Sequence, residues 1–312
     1  MTNRRQGGAM DELQRSIYVD RFRLAFHTQK GTAFQDWFVR LAGYAFGPDF
    51  EEVRPYGLYG DLKCDGLRIS TGSVFQCYAP EAMKETELIA KINEDFHGAR
   101  VHWADNMQEW VLVHNDGRGL PPNAVQHLDG LRNAYAPLKI ATWSEPELLT
   151  LAMGLDLSAL QALFGPAASI AIVDRLVMSD LVPIIEALQR QEPNPGDPPL
   201  TPPSSEKLEK NALSDESGLF LRIGRRKSAL ADAFFRKSPR PDLGERIAEA
   251  FRLRYAELKA LDLPADTIFR HLQDYAGFNG EPKRQGAALA VLAYFFDSCD
   301  IFEDPIASVE AS

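Results

Sequence analysis

Hydrophobic positions in the first 190 residues follow both helical and strand-like spacings. Phe34, Phe38 and Leu41 recur at helical intervals and predict a helix over residues 31–46. Ser144 begins a helix-start signal, and the charges after Pro80 predict a solvent-facing helix. This succession predicts a mixed α/β domain with a helical extension. Its strands are predicted over 51–53, 61–69, 73–78, 109–114 and 138–143, and its other helices over 80–95, from 121, from 145 and over 169–190.

The pattern after residue 203 is helical almost throughout. Ile247, Phe251 and Leu258 alternate with charged residues and predict an amphipathic helix over 243–261. A second helix is predicted from Pro264 to Tyr275 and a last one over 285–299. The last helix is apolar on every side, which predicts that it lies at the centre of a bundle or is buried against a partner. The second half is therefore predicted to be an all-α domain.

A proline-rich stretch separates these two patterns. Residues 193–203 read PNPGDPPLTPP and hold six of the twenty prolines of the chain. Proline lacks a backbone donor and fixes its own φ, so the stretch predicts an extended, semi-rigid linker. The predicted domains are 1–192 and 204–312. A long loop inside one domain remains the alternative.

Composition narrows the classes of protein. The 312 residues are 45% hydrophobic and carry a net charge of −10, which indicates folded domains and argues against coating nucleic acid through bulk charge. A local nucleic-acid site remains open. The chain shows no apolar run of membrane-spanning length and no nucleotide-binding fingerprint, so we expect neither a membrane segment nor a nucleotide cofactor. The three cysteines form no close pair, which favours a reduced cytoplasm.

Polar residues concentrate in a predicted hairpin made of GDLKCDG, then Thr71-Gly72, then VFQCYAP. A two-residue turn or a four-residue loop is expected to place Asp65 opposite Tyr78 and Leu67 opposite Gln76. Asp65, Gln76 and Tyr78 would then share one face of the sheet. A three-residue loop would place Gln76 on the other face.

These side chains suit a hard divalent cation. A carboxylate, a second oxygen ligand and a nearby cation fit Mg²⁺ or Mn²⁺, which can polarise a phosphodiester and activate water. Asp61, Asp65 and Gln76 are the candidate ligands. The alternative is a surface hairpin in which the Asp-Gly pairs only form turns.

The first half of the chain resembles the PD-(D/E)xK nuclease family in the order of its elements. These are a helix with Gln35, then the segment GD-x-x-x-DG, then an apolar strand that ends in Q-x-Y. The resemblance implies a restriction-endonuclease-like fold, a mixed sheet with flanking helices. It matches Asp65 to the metal-binding aspartate, Gln76 to the acidic or amide position and Gln35 to the polar residue of the first helix. Tyr78 stands where the family has its lysine, and Lys63 or Lys84 could supply the cation.

The second half is similar to the C-terminal domain of ABC-three-component systems, which are Lamassu-type anti-phage operons of bacteria. The similarity covers roughly residues 204–305, including LGERIAEAFRLRYAELKAL and AALAVLAYFFDSCDIFEDP. It implies a cytoplasmic effector subunit, an SMC-like ATPase partner, a small third subunit and DNA as substrate.

Residues 222–240 hold seven cations and one acid. They form either a solvated helix face or a contact for a partner protein or the DNA backbone. The residues proposed for that contact are Arg222, Arg225, Arg226, Lys227, Arg236 and Lys237.

Two functions remain open at this stage. The first is a Mg²⁺-dependent DNA endonuclease, for which double-strand cuts would favour a homo-oligomer. The second is a catalytically inactive subunit that regulates the ATPase, and Tyr78 and the neutral Gln76 support it. A weaker third option is a nuclease fold that only binds nucleic-acid ends.

Overall fold

A computed structural model describes residues 10–54, 62–190 and 213–298. The described residues form two compact units, one of residues 18–165 and one of residues 10–17 together with 166–298. The predicted linker at 193–203 lies outside the described residues. Residues 166–190, which the sequence assigns to the first domain as a helical extension, pack in the second unit.

The first unit contains a five-stranded mixed sheet in the order β1-β2-β3-β4-β5. The first three strands are antiparallel, and β3, β4 and β5 are parallel. The mixed α/β prediction is confirmed, whereas the finer assignment to a restriction-endonuclease-like fold stays a prediction. The strands are β1 (Phe50–Glu52), β2 (Gly66–Arg68), β3 (Ser73–Tyr78), β4 (Glu109–His114) and β5 (Lys139–Trp143).

Helices cover both faces of this sheet. On one face α2 and α5 pack around Phe38 and Phe75, and on the other α3 and α4 pack around Phe96 and Trp110. Alternate residues of β3 enter the two layers, as the pleat of a strand requires. The helices of the first unit are α1 (Glu12–Thr28, whose first residues belong to the second unit), α2 (Gly31–Phe46), α3 (Glu85–Trp103), α4 (Pro122–Ala134), α5 (Glu145–Met153) and α6 (Leu157–Phe164).

The helix predicted over 80–95 begins later than expected, and only one of its sides faces solvent. It begins at Glu85, where the carboxylates of Glu85 and Glu87 favour the positive end of the helix dipole. Its buried residues repeat at helical spacing and face the sheet, so the surface prediction was wrong for this side of α3. These residues are Leu88, Ile92, Asp95, Phe96 and Ala99.

The second unit is helical, as the sequence predicts. The single helix predicted over 169–190 is two helices, because Asp180 accepts the N–H of Val177 at 2.9 Å and a new helix begins at Met178. The apolar last helix is buried within this unit and packs against the long helix that contains Gly224. The helices are α7 (Ile170–Asp174), α8 (Met178–Gln189), α9 (Asp215–Lys237), α10 (Leu243–Ala260), α11 (Ala265–Tyr275) and α12 (Pro282–Asp297).

No helix among the described residues combines the length and the apolar character needed to cross a bilayer.

Candidate functional site

The hairpin closes in a register two residues away from the predicted one. Leu67 pairs with Val74, and a four-residue loop that includes the 3₁₀ turn Ile69–Thr71 joins β2 to β3. The predicted pairs Asp65–Tyr78 and Leu67–Gln76 are therefore wrong. A slip of two residues keeps each paired side chain on its face, so the hydrophobic pattern could not distinguish the two registers. A bulge at Asp65 interrupts this alternation, and the neighbouring Cys64 packs in the layer of Val74 and Tyr78.

Asp65 lies at a bulge at the start of β2. Its N–H donates to the carbonyl of Phe75 at 2.8 Å, although the register pairs Phe75 with Gly66. Asp65 and Gly66 thus both lie opposite Phe75 of β3, which is the arrangement of a β-bulge. The Asp65 carboxylate accepts the N–H of Cys77 at 2.6 Å. Because this N–H belongs to the peptide that joins Gln76 to Cys77, the structure brings Asp65 to the Gln76 peptide.

Gln76 is buried, with 4% of its surface exposed. Its neighbours Val74 and Tyr78 pack in the layer between the sheet and α3, and alternation along β3 places the Gln76 side chain in the same layer. Its Oε1 is buried without a hydrogen-bond partner among the described residues. A buried acceptor without a donor costs about 1–3 kcal/mol, so this oxygen marks a place where a ligand would be favourable.

Tyr78 ends β3 beside a group of charges on α3 and just before it. Burial raises the pKa of the Tyr78 hydroxyl, and the negative charge of Glu87 raises it further. Lys91 and Lys84 act in the opposite direction. The tyrosine that replaces the expected lysine therefore stays neutral near pH 7 and lies within electrostatic reach of two other lysines.

Lys63 lies against α3. Its ammonium pairs with Glu94 and lies 3.3 Å from Oδ1 of Asp95. The hydrogen bond to Glu94 raises the pKa of Lys63, so this side chain remains a cation.

Asp95 and Lys91 are site residues that the sequence reasoning missed. Asp95 is 1% exposed, and its Oδ1 accepts a hydrogen bond from Lys91 at 2.8 Å. Burial raises the pKa of Asp95, while the two lysines lower it. The signal was present in the sequence, because Asp95 follows Leu88 and Ile92 on the apolar stripe of the helix.

Two predicted site residues, Lys84 and Gln35, lie apart from the hairpin site, and a third lies outside the described residues. Lys84 is exposed at the beginning of α3 and pairs with Glu87 at 2.9 Å. Gln35 lies on α2, on the face of the sheet opposite to the layer that contains Gln76. Asp61 lies outside the described residues.

Two side chains at the hairpin, Asp65 and Gln76, have the oxygen chemistry of hard-cation ligands. Asp65 offers a carboxylate and Gln76 an unpartnered amide oxygen, and both adjoin one peptide of β3. Within the described ranges, no group of three or more His, Cys, Asp or Glu side chains is arranged to hold a metal. A complete shell would need further oxygens beyond these two.

Most of the cationic residues on α9 have partners within the second unit. Arg225 binds Asp297 through two nitrogens at 2.6–2.9 Å, and Arg226 pairs with Asp174 at 2.7 Å. Their charges are therefore largely satisfied inside the unit. Lys227 donates to the carbonyl of Leu176 and Arg236 pairs with Asp232, while Arg222 and Lys237 are exposed on the same helix.

Comparison with known proteins places a similarity in the second half of the chain. Residues 179–303 match the family model of C-terminal domain 10 of the ABC-three component systems. The match spans α8 to α12 and supports membership of such a system. Searches of the curated proteins and of the solved structures found no match.

Proposed function

We propose that this chain is the effector subunit of an ABC-three-component anti-phage system and that its first unit is a metal-dependent DNA endonuclease. The family match over residues 179–303 supports the system. The observation that carries the activity is the hydrogen bond from the Cys77 N–H to the Asp65 carboxylate, in a strand whose Gln76 Oε1 is buried without a hydrogen-bond partner among the described residues.

Each residue of the candidate site has a proposed task. Asp65 and Gln76 would hold Mg²⁺ or Mn²⁺, with Asp61 as a further candidate ligand. When bound, the ion would polarise the phosphodiester and lower the pKa of a bound water. Lys63 keeps a positive charge two residues before Asp65, where it would stabilise negative charge on the phosphate. Tyr78 would orient the attacked group through its hydroxyl.

The proposed partners follow from the system. An SMC-like ATPase subunit and a small third subunit would dock on the helical second unit, and DNA would be the substrate. The exposed Arg222 and Lys237 on α9 remain available for the partner or for the DNA backbone. One chain carries one such site, so double-strand cleavage would favour a homo-oligomer in the bacterial cytoplasm.

The test compares an isosteric variant with a matched surface control. The assembled complex is incubated with DNA and Mg²⁺ using the wild type, Asp65→Asn and Asp105→Asn, since Asp105 is exposed in a turn. We expect cleavage to fall at least about 100-fold in Asp65→Asn, as for loss of a major electrostatic contribution, and to stay unchanged in the control. Equal cleavage by all three proteins would exclude Asp65 from the site.

A catalytically inactive subunit that regulates the ATPase is the second candidate. It is favoured by Tyr78 at the expected lysine and by the burial of Asp65, which is 1% exposed, because a phosphodiester must reach the metal. This function predicts that Asp65→Asn leaves phage protection intact. Disruption of α12, which is buried in the second unit, would abolish protection.

A further inference from the structure

Two lysines from different elements meet on one buried carboxylate oxygen. Lys91 on α3 and Lys63 before β2 place their ammonium groups 2.8 and 3.3 Å from Oδ1 of Asp95. The side chain of Asp95 is 1% exposed, whereas those of Lys63 and Lys91 are 29% and 32% exposed. The anchor is thus inside the protein, and the two cations reach the surface.

The backbone around Lys63 is specialised for this position. Leu62 and Lys63 both have left-handed φ angles, 53° and 59°, which non-glycine residues rarely adopt. The indole N–H of Trp103 holds the carbonyl of Leu62 at 3.1 Å. Such a conformation persists only where surrounding contacts enforce it, and it is concentrated at functional sites.

Helix α3 leaves room for the same side chain. A Cβ at Gly98 would lie 2.6 Å from Cγ of Lys63, so only glycine lets the lysine stem cross the helix here. The position of the Lys63 ammonium is therefore determined by three features. They are the left-handed backbone of Lys63, the glycine at position 98 and the buried carboxylate of Asp95.

Lys63, Lys91 and Asp95 form a charged cluster in which the two oxygens of Asp95 have different surroundings. The Oδ2 of Asp95 is buried without a hydrogen-bond partner in the described part of the chain, as is Oε1 of Gln76. A carboxylate whose only purpose was stability would be expected to satisfy both oxygens, because an unsatisfied buried acceptor is costly. Here one oxygen receives both lysines.

Glu94 adds a negative charge at the solvent-exposed side of the cluster. It pairs with Lys63, and its side chain is 61% exposed. An exposed ion pair contributes little to stability, so another anion can replace Glu94 on Lys63. The buried Asp95 cannot be displaced in the same way.

We propose that Lys63 and Lys91, positioned by Asp95, form a subsite for a phosphate of the nucleic-acid backbone beside Asp65 and Gln76. The choice of nucleic acid as the ligand rests on the proposed function. Lys63 is two residues from Asp65, and Lys91 shares with Lys63 the same Asp95 oxygen. Lys63 and Lys91 would contact the phosphate, and Asp95 is a positioning residue. Glu94 occupies the subsite until the phosphate arrives.

The test measures binding and is independent of cleavage. Anisotropy of a fluorescent 20-base-pair duplex is titrated with the full chain in EDTA at several salt concentrations. Lys63→Gln and Lys91→Gln remove the charge and retain an N–H donor on a side chain one bond shorter, and they are compared with Lys139→Gln on β5. Lys139 is exposed and serves as the control for net charge. Thermal melting checks that each variant is folded.

We expect each glutamine variant in the cluster to bind at least about threefold more weakly and to lower the slope of log K against log salt by about 0.9. Lys139→Gln should bind as the wild type does, and Glu94→Gln should bind more tightly. Unchanged binding by folded Lys63→Gln and Lys91→Gln would overturn the subsite, as would a wild type that binds no duplex. Intact binding of the duplex without cleavage in Mg²⁺ would contradict the proposed endonuclease activity but not the phosphate subsite.

Discussion

Asp49 accepts hydrogen bonds from both the backbone N–H and the hydroxyl of Ser70, each at 2.7 Å. This pair ties the 3₁₀ turn before β1 to the loop between β2 and β3, and Arg68 adds a contact at 2.9 Å. The loop sets the hairpin register and therefore the positions of Asp65 and Gln76. Asp49 is thus a distant determinant of the candidate site.

The Asp49 contact predicts a pH dependence of stability. The Ser70 hydroxyl and Arg68 lower the pKa of Asp49 from 3.8 to about 2. A depressed carboxyl pKa stabilises the fold above the unfolded-state value, and this stabilisation is lost as the pH falls through about 2. Urea titrations should show the wild type to be more stable than Asp49→Asn at pH 6, with the difference narrowing between pH 4 and pH 2. A constant difference would contradict the prediction.

Substitutions at Asp65 should separate its structural role from its proposed catalytic role. Asp65→Ala leaves the N–H of Cys77 without its acceptor and should destabilise the protein by about 1–3 kcal/mol. Asp65→Asn retains an acceptor oxygen and should cost less. Urea unfolding followed by tryptophan fluorescence measures both. Equal losses would show that the charge of Asp65, and not the hydrogen bond, stabilises the bulge.

Gly98→Ala should reveal the close approach of Lys63 to α3. Alanine gains about 1 kcal/mol over glycine inside a helix, whereas steric overlap costs about 1–3 kcal/mol. Gly130 on α4 is exposed with open space around its Cα, so Gly130→Ala gives the propensity gain alone. Unfolding titrations should find Gly98→Ala less stable than Gly130→Ala by about 1–3 kcal/mol. Equal stabilities would mean that Lys63 moves aside freely.

Gly224→Ala should disrupt the second unit. An added Cβ would overlap the backbone carbonyl of Leu289 on α12 and lie 2.9 Å from the Cβ of Ala293. The expected loss is roughly 1–3 kcal/mol, measured by denaturant titration of far-UV circular dichroism. Gly218→Ala on the same helix is the control, because its nearest atom is the mobile end of Arg222 at 3.6 Å. Similar effects of the two changes would rule out the close helix contact.

The sequence predicted most elements of the first unit, because Phe38 and Phe75 belong to strong periodic patterns. It could not set the register of the hairpin, since slips of two residues preserve which face each side chain occupies. The central position of α12 was predictable, because a helix that is apolar on every side has to be buried. Asp95 escaped notice because Lys91 and Asp95 at i and i+4 also fit an exposed helical ion pair.

The change from antiparallel to parallel pairing at β3 separates a local contact of the candidate site from a distant one. The β2–β3 hairpin is local in sequence, whereas β3 and β4 pair across α3. The hydrogen bond of Asp65 with Cys77 needs only the hairpin, whereas the pair of Lys63 with Asp95 also needs α3 in place. Because local contacts form faster than distant ones, we expect the hairpin contact to precede the lysine cluster during folding.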